Sequence, residues 1–488
     1  MLSAAVLLAA TACGSLAPAH QTPAAPTPDQ TRPPAPTATP PHPTATPARA
    51  RIPPDLPLSA DGPWLVFENT QGLWAVNADG TGLTRILAPE SSELEPGLFA
   101  ISPAPMGGVL TVIVVEDAPP FPRPHLSLVS LPDVDIRTVA DLLPEGYASL
   151  GDESYFALKA LTEWSSPAWS PNGRWLAFAG GMDGASTDLY IYDMATSQTT
   201  RLTSGPTQVI GIEWSPDGEW IVHGGAVGIY QGSGMPYEVQ EEWAARADGS
   251  QVKSLYQLEG SWVDPVLGWL DPQTYVTYSL DYAGAPSWPP YRLRAVDLLT
   301  GGSHLLHEAH FTQVAWDPGR KMALVGFAPD EFSYFPPETP TGLRLIDAQT
   351  GAETIVTEDE ALDALWSPEL DLFIAATETG ILAIQPTTGE FIDLLIPEGA
   401  VGPPQPSQGG DLAWVGDGLW VGTLLSSLDD PPRQILSRPT SFATWAPDGS
   451  GLLFFTEGAL VYAASPDFSP VLAAETMSDP AAHDWVMP

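Results

Sequence analysis

Three of the chain's eight histidines fall in one short segment, His304-Leu-Leu-His307-Glu308-Ala-His310. Imidazole nitrogens beside a carboxylate are the donors that Zn²⁺ or Mn²⁺ takes, so a divalent metal is the one cofactor the residues suggest. In an extended strand His304 and His307 point to opposite faces, and only a turn near His307 would gather them. The other reading of the segment is a polar outer strand running into its loop. Other catalytic signatures are missing. The sequence has no Gly-x-Ser-x-Gly elbow, glycine-rich phosphate loop, paired CxxC or His-Glu-x-x-His. Glu358-Asp359-Glu360 and Glu241-Glu242 lack the spacing of a calcium loop. No catalytic residue and no other cofactor is expected. A second group of chemically capable residues consists of aromatics in proline-containing stretches: Phe121, Tyr237, Tyr282, Trp288, Phe332, Tyr334 and Phe335. Rigid rings with few torsions to freeze serve as anchors at protein and sugar interfaces. The alternative is that each ring folds back to plug its own loop.

The chain's lone cysteine, Cys13, ends a run of small and apolar residues from Leu2 to Ala12, too short for a permanent membrane helix. Ala10-Thr11-Ala12-Cys13-Gly14 resembles the lipobox of bacterial lipoproteins. That resemblance implies cleavage before Cys13 and diacylglycerol on its sulfur; a plain secretory signal with an incidental cysteine is the other reading. Residues 1–12 are thus read as a signal peptide and 13–57 as a tether. The tether is rich in Pro, Thr and Ala, with too little apolar surface to fold, and favours polyproline II. At about 3.1 Å per residue it could hold a domain up to ~130 Å from a bilayer. The placement expected is the extracytoplasmic side of a bacterial cell envelope, with the membrane as a partner through the lipid anchor.

Residues 58–488 must position whatever acts, and they are repetitive. Trp169-Ser-Pro-Asn-Gly-Arg-Trp175, Trp214-Ser-Pro-Asp-Gly-Glu-Trp220 and Trp445-Ala-Pro-Asp-Gly449 are copies of one motif. Weaker copies start at Trp269, Trp316, Trp366 and Trp414. Between them recur Tyr190-Ile-Tyr-Asp193, Arg294-Ala-Val-Asp297 and Arg344-Leu-Ile-Asp347. Each unit reads as four short strands: one ending at the Trp, a tight Pro-Asp-Gly turn, two alternating strands, and a polar outer strand. No helical periodicity is evident between them. The motif resembles the TolB-like, PD40 (WD40-like) repeat, which implies an all-β fold, a β-propeller of four-stranded blades. Nine candidate units can be counted. The unit after Trp414 looks too short for four strands, so about eight blades are expected, with seven and nine as the alternatives. The first unit lacks an inner strand, and the C-terminal Ala482-His-Asp-Trp-Val-Met487 has no turn after it; together they would close the ring.

Links between second and third strands are long at 116–124, 230–240, 281–290 and 328–341, as are the blade-to-blade connections at 142–167 and 397–410, while the turns at each Pro-Asp-Gly and after each Asp193-like position stay short. One face of the propeller is therefore decorated, and it carries the aromatics. With 59 acidic against 18 basic residues, a formal net charge of −41 excludes nucleic acid as a partner and favours basic ones. The expected role is a non-catalytic, monomeric binding or scaffold module for an envelope or extracellular protein. The alternative is a polysaccharide-binding or lyase-type propeller, since oligogalacturonate lyases share the TolB-like fold and hold a metal with histidine. Their ligands come from different blades, whereas His304, His307 and His310 are local. TolB's N-terminal α/β domain and the hydrolase domain of prolyl-oligopeptidase-like enzymes have no counterpart here.

Overall fold

Two hydrogen-bonded turns, repeated along the chain, set the strand lengths. In Ser215-Pro-Asp-Gly218 the Ser215 hydroxyl donates to Asp217 Oδ1 at 2.6 Å and accepts from Trp220 N at 2.9 Å. Asp217 Oδ1 also accepts from Glu219 N, and Gly218 sits at φ +70°, where a Cβ would be strained. Ser170-Pro-Asn-Gly173 closes in the same way. The second turn follows the third strand. There Asp193, Asp297 and Asp347 accept backbone N–H groups two or three residues ahead.

The computed structural model describes residues 56–88, 101–116, 123–143, 147, 152–184, 186–228, 237–281, 290–311, 313–327, 342–426, 430–475 and 477–488. Among these, nine four-stranded antiparallel blades follow one another. Blade 1 (64–87) takes its innermost strand from the C-terminus: Ala482–Val486 pairs with Trp64–Asn69, Trp64 opposite Val486. Blades 2 and 3 occupy 102–141 and 168–201. Blades 4 and 5 share a sheet, because the strand Val252–Asp271 is the outer strand of one and runs on as the inner strand of the next. Blades 6 and 7 span 313–357 and 361–394, and blades 8 and 9 span 400–436 and 440–475. Apolar clusters join each blade to the next. The last one packs Leu453, Phe455 and Leu460 of blade 9 on Leu65, Phe67 and Val76 of blade 1. The ring is closed.

The count of nine is the upper of the expected numbers, and the preference for eight traces to a shift of phase at Trp414. Trp414 does not end an inner strand; it lies on the second strand of blade 8, opposite Trp420. The inner strand there is Ala400–Pro406, and its turn is Ser407–Gly410, with Gly410 N donating to Ser407 O as Gly218 N does to Ser215 O. Measured from that turn, the blade has four full strands. The expectation of no helix fails. An α-helix, Asp152–Lys159, and a π-helical turn, Ala160–Trp164, fill the connection from blade 2 to blade 3. Phe156, Ala157, Ala160 and Leu161 form their buried stripe.

The repeated Trp is a wedge between blades. Trp169, Trp214, Trp269, Trp316, Trp366, Trp445 and Trp485 each join the cluster between their own blade and the preceding one. Four indole N–H groups donate across that gap: Trp169 to Ser102 O, Trp214 to Ala168 O, Trp445 to Gln405 O and Trp485 to Thr444 Oγ1, all at 2.9–3.1 Å. Trp316 instead lies against Gly268, where an added Cβ would sit 2.0 Å from its Nε1. Blades 2 and 8 have Pro103 and Pro406 at the wedge position, and other tryptophans fill those two gaps. Trp64 packs between blades 1 and 2, and Trp414 between blades 7 and 8.

Candidate functional site

In an antiparallel blade the first and third turns open on one face of the ring. The link between second and third strands opens on the other, together with the blade-to-blade connection. The first face is closed by tight turns, as from Trp169 to Trp175 and from Trp214 to Trp220. On the second face Gly228 is followed by the next strand only at Tyr237, Asp281 only at Tyr291 and Phe327 only at Gly342. The same face carries the helical connection, whose Ala160 and Trp164 pack on Ile210, Ala226 and Val239 of blade 4.

Blades 4 and 5 build a wall on this face. Ser261, in the strand they share, is opposite Val239 on one side and Asp281 on the other. The strands Tyr237–Arg246 and Thr274–Asp281 therefore flank one strand, two strand spacings or roughly 10 Å apart. Of the seven expected anchors, Tyr237 is placed by its backbone in that wall, opposite Gly228. Phe121, Tyr282, Trp288, Phe332, Tyr334 and Phe335 lie outside the described residues, as does Cys13.

The upper edge of blade 3 is tied by polar contacts. Buried Asp188 is paired with Arg201 and accepts from Thr203 Oγ1 and Gly205 N. Burial nonetheless pushes its carboxyl above the usual range. Tyr190 Oη donates to Asp183 at 2.9 Å. This network fixes the connection into blade 4, where Val209 N donates to Thr187 Oγ1.

The histidine segment is an outer strand, Ser303–Ala309. The expectation that His304 and His307 oppose each other needs correcting. A bulge places His304 opposite Ala295 and His307 opposite Leu293, which share a side of their strand. The two part company all the same. His304 is exposed, whereas His307 is tucked toward blade 6 with Nδ1 3.8 Å from Glu353. Burial lowers the pKa of His307 and of His310. No group of three or more His, Cys, Asp or Glu suited to a metal ion occurs among the described residues.

Two buried ionisable groups, Glu242 and His223, and one half-buried, Asp484, were not foreseen. Glu242, on the third strand of blade 4, faces blade 5 and accepts from Tyr275 Oη and from Thr277 Oγ1. Burial raises its pKa to about 7. His223, on the neighbouring strand, is buried with Nε2 unpartnered, and burial lowers it to about 4. On the closing strand, burial raises Asp484 to about 6 although Trp485 N donates to it. Nothing in a strand's alternation marks such positions, because which blade they face is set by register.

No protein-family model matches the chain, and no curated protein matches it in sequence. Solved structures do resemble it. The crystal structure of a eukaryotic initiation factor is 10% identical with a TM-score of 0.54, covering 88% of this chain and 98% of that one. Dipeptidyl peptidase 4 of Porphyromonas gingivalis is 9% identical with a TM-score of 0.50, covering 78% of this chain and 59% of that one. TolB from Acinetobacter baumannii is 17% identical with a TM-score of 0.31, covering 60% of this chain and 62% of that one. The chain thus spans less than two thirds of the peptidase and of that TolB. At such identities likeness speaks to fold alone. The fold is a β-propeller.

Proposed function

We propose that this chain is a non-catalytic binding or scaffold propeller, tethered outside a bacterial membrane, that takes a protein partner on its long-link face. The observation that supports this is the asymmetry of the two faces. One is closed by tight turns, while the other gathers the long links, the helical connection and the wall of blades 4 and 5. Connections carried on a rigid scaffold are where proteins commonly present recognition residues. The chemistry favoured in the partner is basic, since acidic residues outnumber basic ones 59 to 18 and arginines of this face are paired with neighbouring acids, Arg292 with Glu308 and Arg438 with Glu457.

Shortening the link 282–289 to a two-residue turn tests the reading. Surface links tolerate such deletion, so the fold should persist, and capture of envelope proteins should fall because Tyr282 and Trp288 go with the link. The control is Asp217→Ala on the opposite face, which loses the contacts to Ser215 and Glu219 N and should cost stability without affecting capture. Equal capture by both variants removes the long-link face as the site. Bound stoichiometric Zn²⁺ or Mn²⁺ in the purified protein would turn the case toward a lyase.

A further inference from the structure

Glu242 is 1% exposed and in no ion pair among the described residues, yet it sits where two blades meet. Its strand neighbours Val222 and Ala244 pack with Tyr275 and Val296 in the cluster between blades 4 and 5. Its own carboxyl crosses the same gap to the Tyr275 and Thr277 hydroxyls. We infer that the contact of Glu242 with Tyr275 and Thr277 is a proton-controlled latch between blades 4 and 5, closed when the carboxyl is neutral and loosened when it ionises.

The surroundings account for the direction. Gly224, opposite Glu242 on the second strand, brings no side chain, and Tyr256 is its partner on the outer strand. From blade 5 come Tyr275 and Thr277. On the same side of the next strand stand Arg294, opposite Thr277, and Arg292, already paired with Glu308. His223 points to the other side of blade 4, as its register partner Trp243 does. An ionised carboxylate here must be held by two neutral hydroxyls in a buried gap. Desolvation therefore outweighs both hydrogen bonds and lifts the proton affinity into the neutral range. A proton held more tightly in the closed than in the open state favours closure at low pH, and that preference is lost as pH rises through about 7. The latch joins the strands Tyr237–Arg246 and Thr274–Asp281 on either side of the shared strand, and it stands whether or not that face binds anything.

Hydrogen–deuterium exchange of the full chain at pH 5.5 and 8.5, corrected for intrinsic rates, reads it directly. Opening of the strands Tyr237–Arg246 and Thr274–Asp281 should increase at least tenfold at pH 8.5, measured against Leu372–Thr377 of blade 7 as reference. In Glu242→Gln, which accepts the same hydroxyls without a charge, the increase should vanish. An equal increase in that variant, or none in the wild type, overturns the latch. Should Glu242→Gln fail to fold, ¹³C-labelled glutamate in the wild type still decides. A side-chain carboxyl titrating near 7 supports the latch, and titration of every glutamate in the ordinary carboxylate range overturns it.

Discussion

A tryptophan repeated at the end of an inner strand could mean a stacking platform for ligand or a packing device, and the atoms decide for packing. Trp214 is 6% exposed, lies parallel to Trp175 at 6.2 Å and donates to Ala168 O of the preceding blade. Trp214→Ala removes the wedge and should cost about 3–5 kcal/mol in denaturant melts. A loss below ~1 kcal/mol would mean that the gap closes without it. His223 provides a second test at this scale. Its imidazole is neutral in the fold down to about 4, whereas in the unfolded chain it takes a proton near 6.5. Because the folded value is the lower one, stability is lost as pH falls from 6.5 toward 4. Between pH 7 and 4 the wild type should lose up to about 3 kcal/mol more than His223→Asn. Equal losses would place a charge on His223 in the fold. The Ser-Pro-Asp-Gly turns were legible in the sequence because their hydrogen bonds close within five residues. His223, Glu242 and Trp64 were not, since each acts on a residue that only the ring brings near.

Strands and turns were legible wherever turn chemistry is local, and misread where a tertiary partner takes over. Blade 8 was read out of phase because its inner strand ends in Pro406 rather than Trp, while Trp414 one strand later imitates the motif and fills the gap to blade 7. The helical connection escaped notice because its two segments together are short and lean on blade 4 for burial. The closing strand, by contrast, was legible as two complementary gaps at the chain's ends. Its five register pairs with Trp64–Glu68 tie the end of the chain into the first blade, beside the apolar cluster that packs the last blade on the first. Removing residues 482–488 should leave the edge of Trp64–Asn69 open and expose Val66 and Phe67, which are now fully buried. The truncated protein is expected to melt earlier and to aggregate. A synthetic peptide of residues 482–488 should raise the melting midpoint with concentration, as any ligand of the folded state does. A truncated chain melting with the wild type would show that the ring is held elsewhere.

At the scale of the whole molecule, charge and attachment bear on each other. Lys159, Lys253 and Lys321 are the only lysines, and a formal net charge of −41 is not offset by any basic stretch in residues 13–57. Bacterial membrane surfaces are anionic, so electrostatics pushes this chain away from them, the more strongly at low ionic strength where the Debye length reaches ~30 Å. Acyl chains inserted in the bilayer, each buried CH₂ contributing about 0.8 kcal/mol, would overcome that repulsion. If Cys13 carries them, Cys13→Ser should move the protein from the membrane to the soluble fraction, whatever the salt. The wild type should resist extraction by high salt and yield to detergent. Membrane retention of Cys13→Ser that survives high salt would place the anchor elsewhere in the chain. Retention that salt abolishes would point instead to a basic membrane partner held by the acidic propeller.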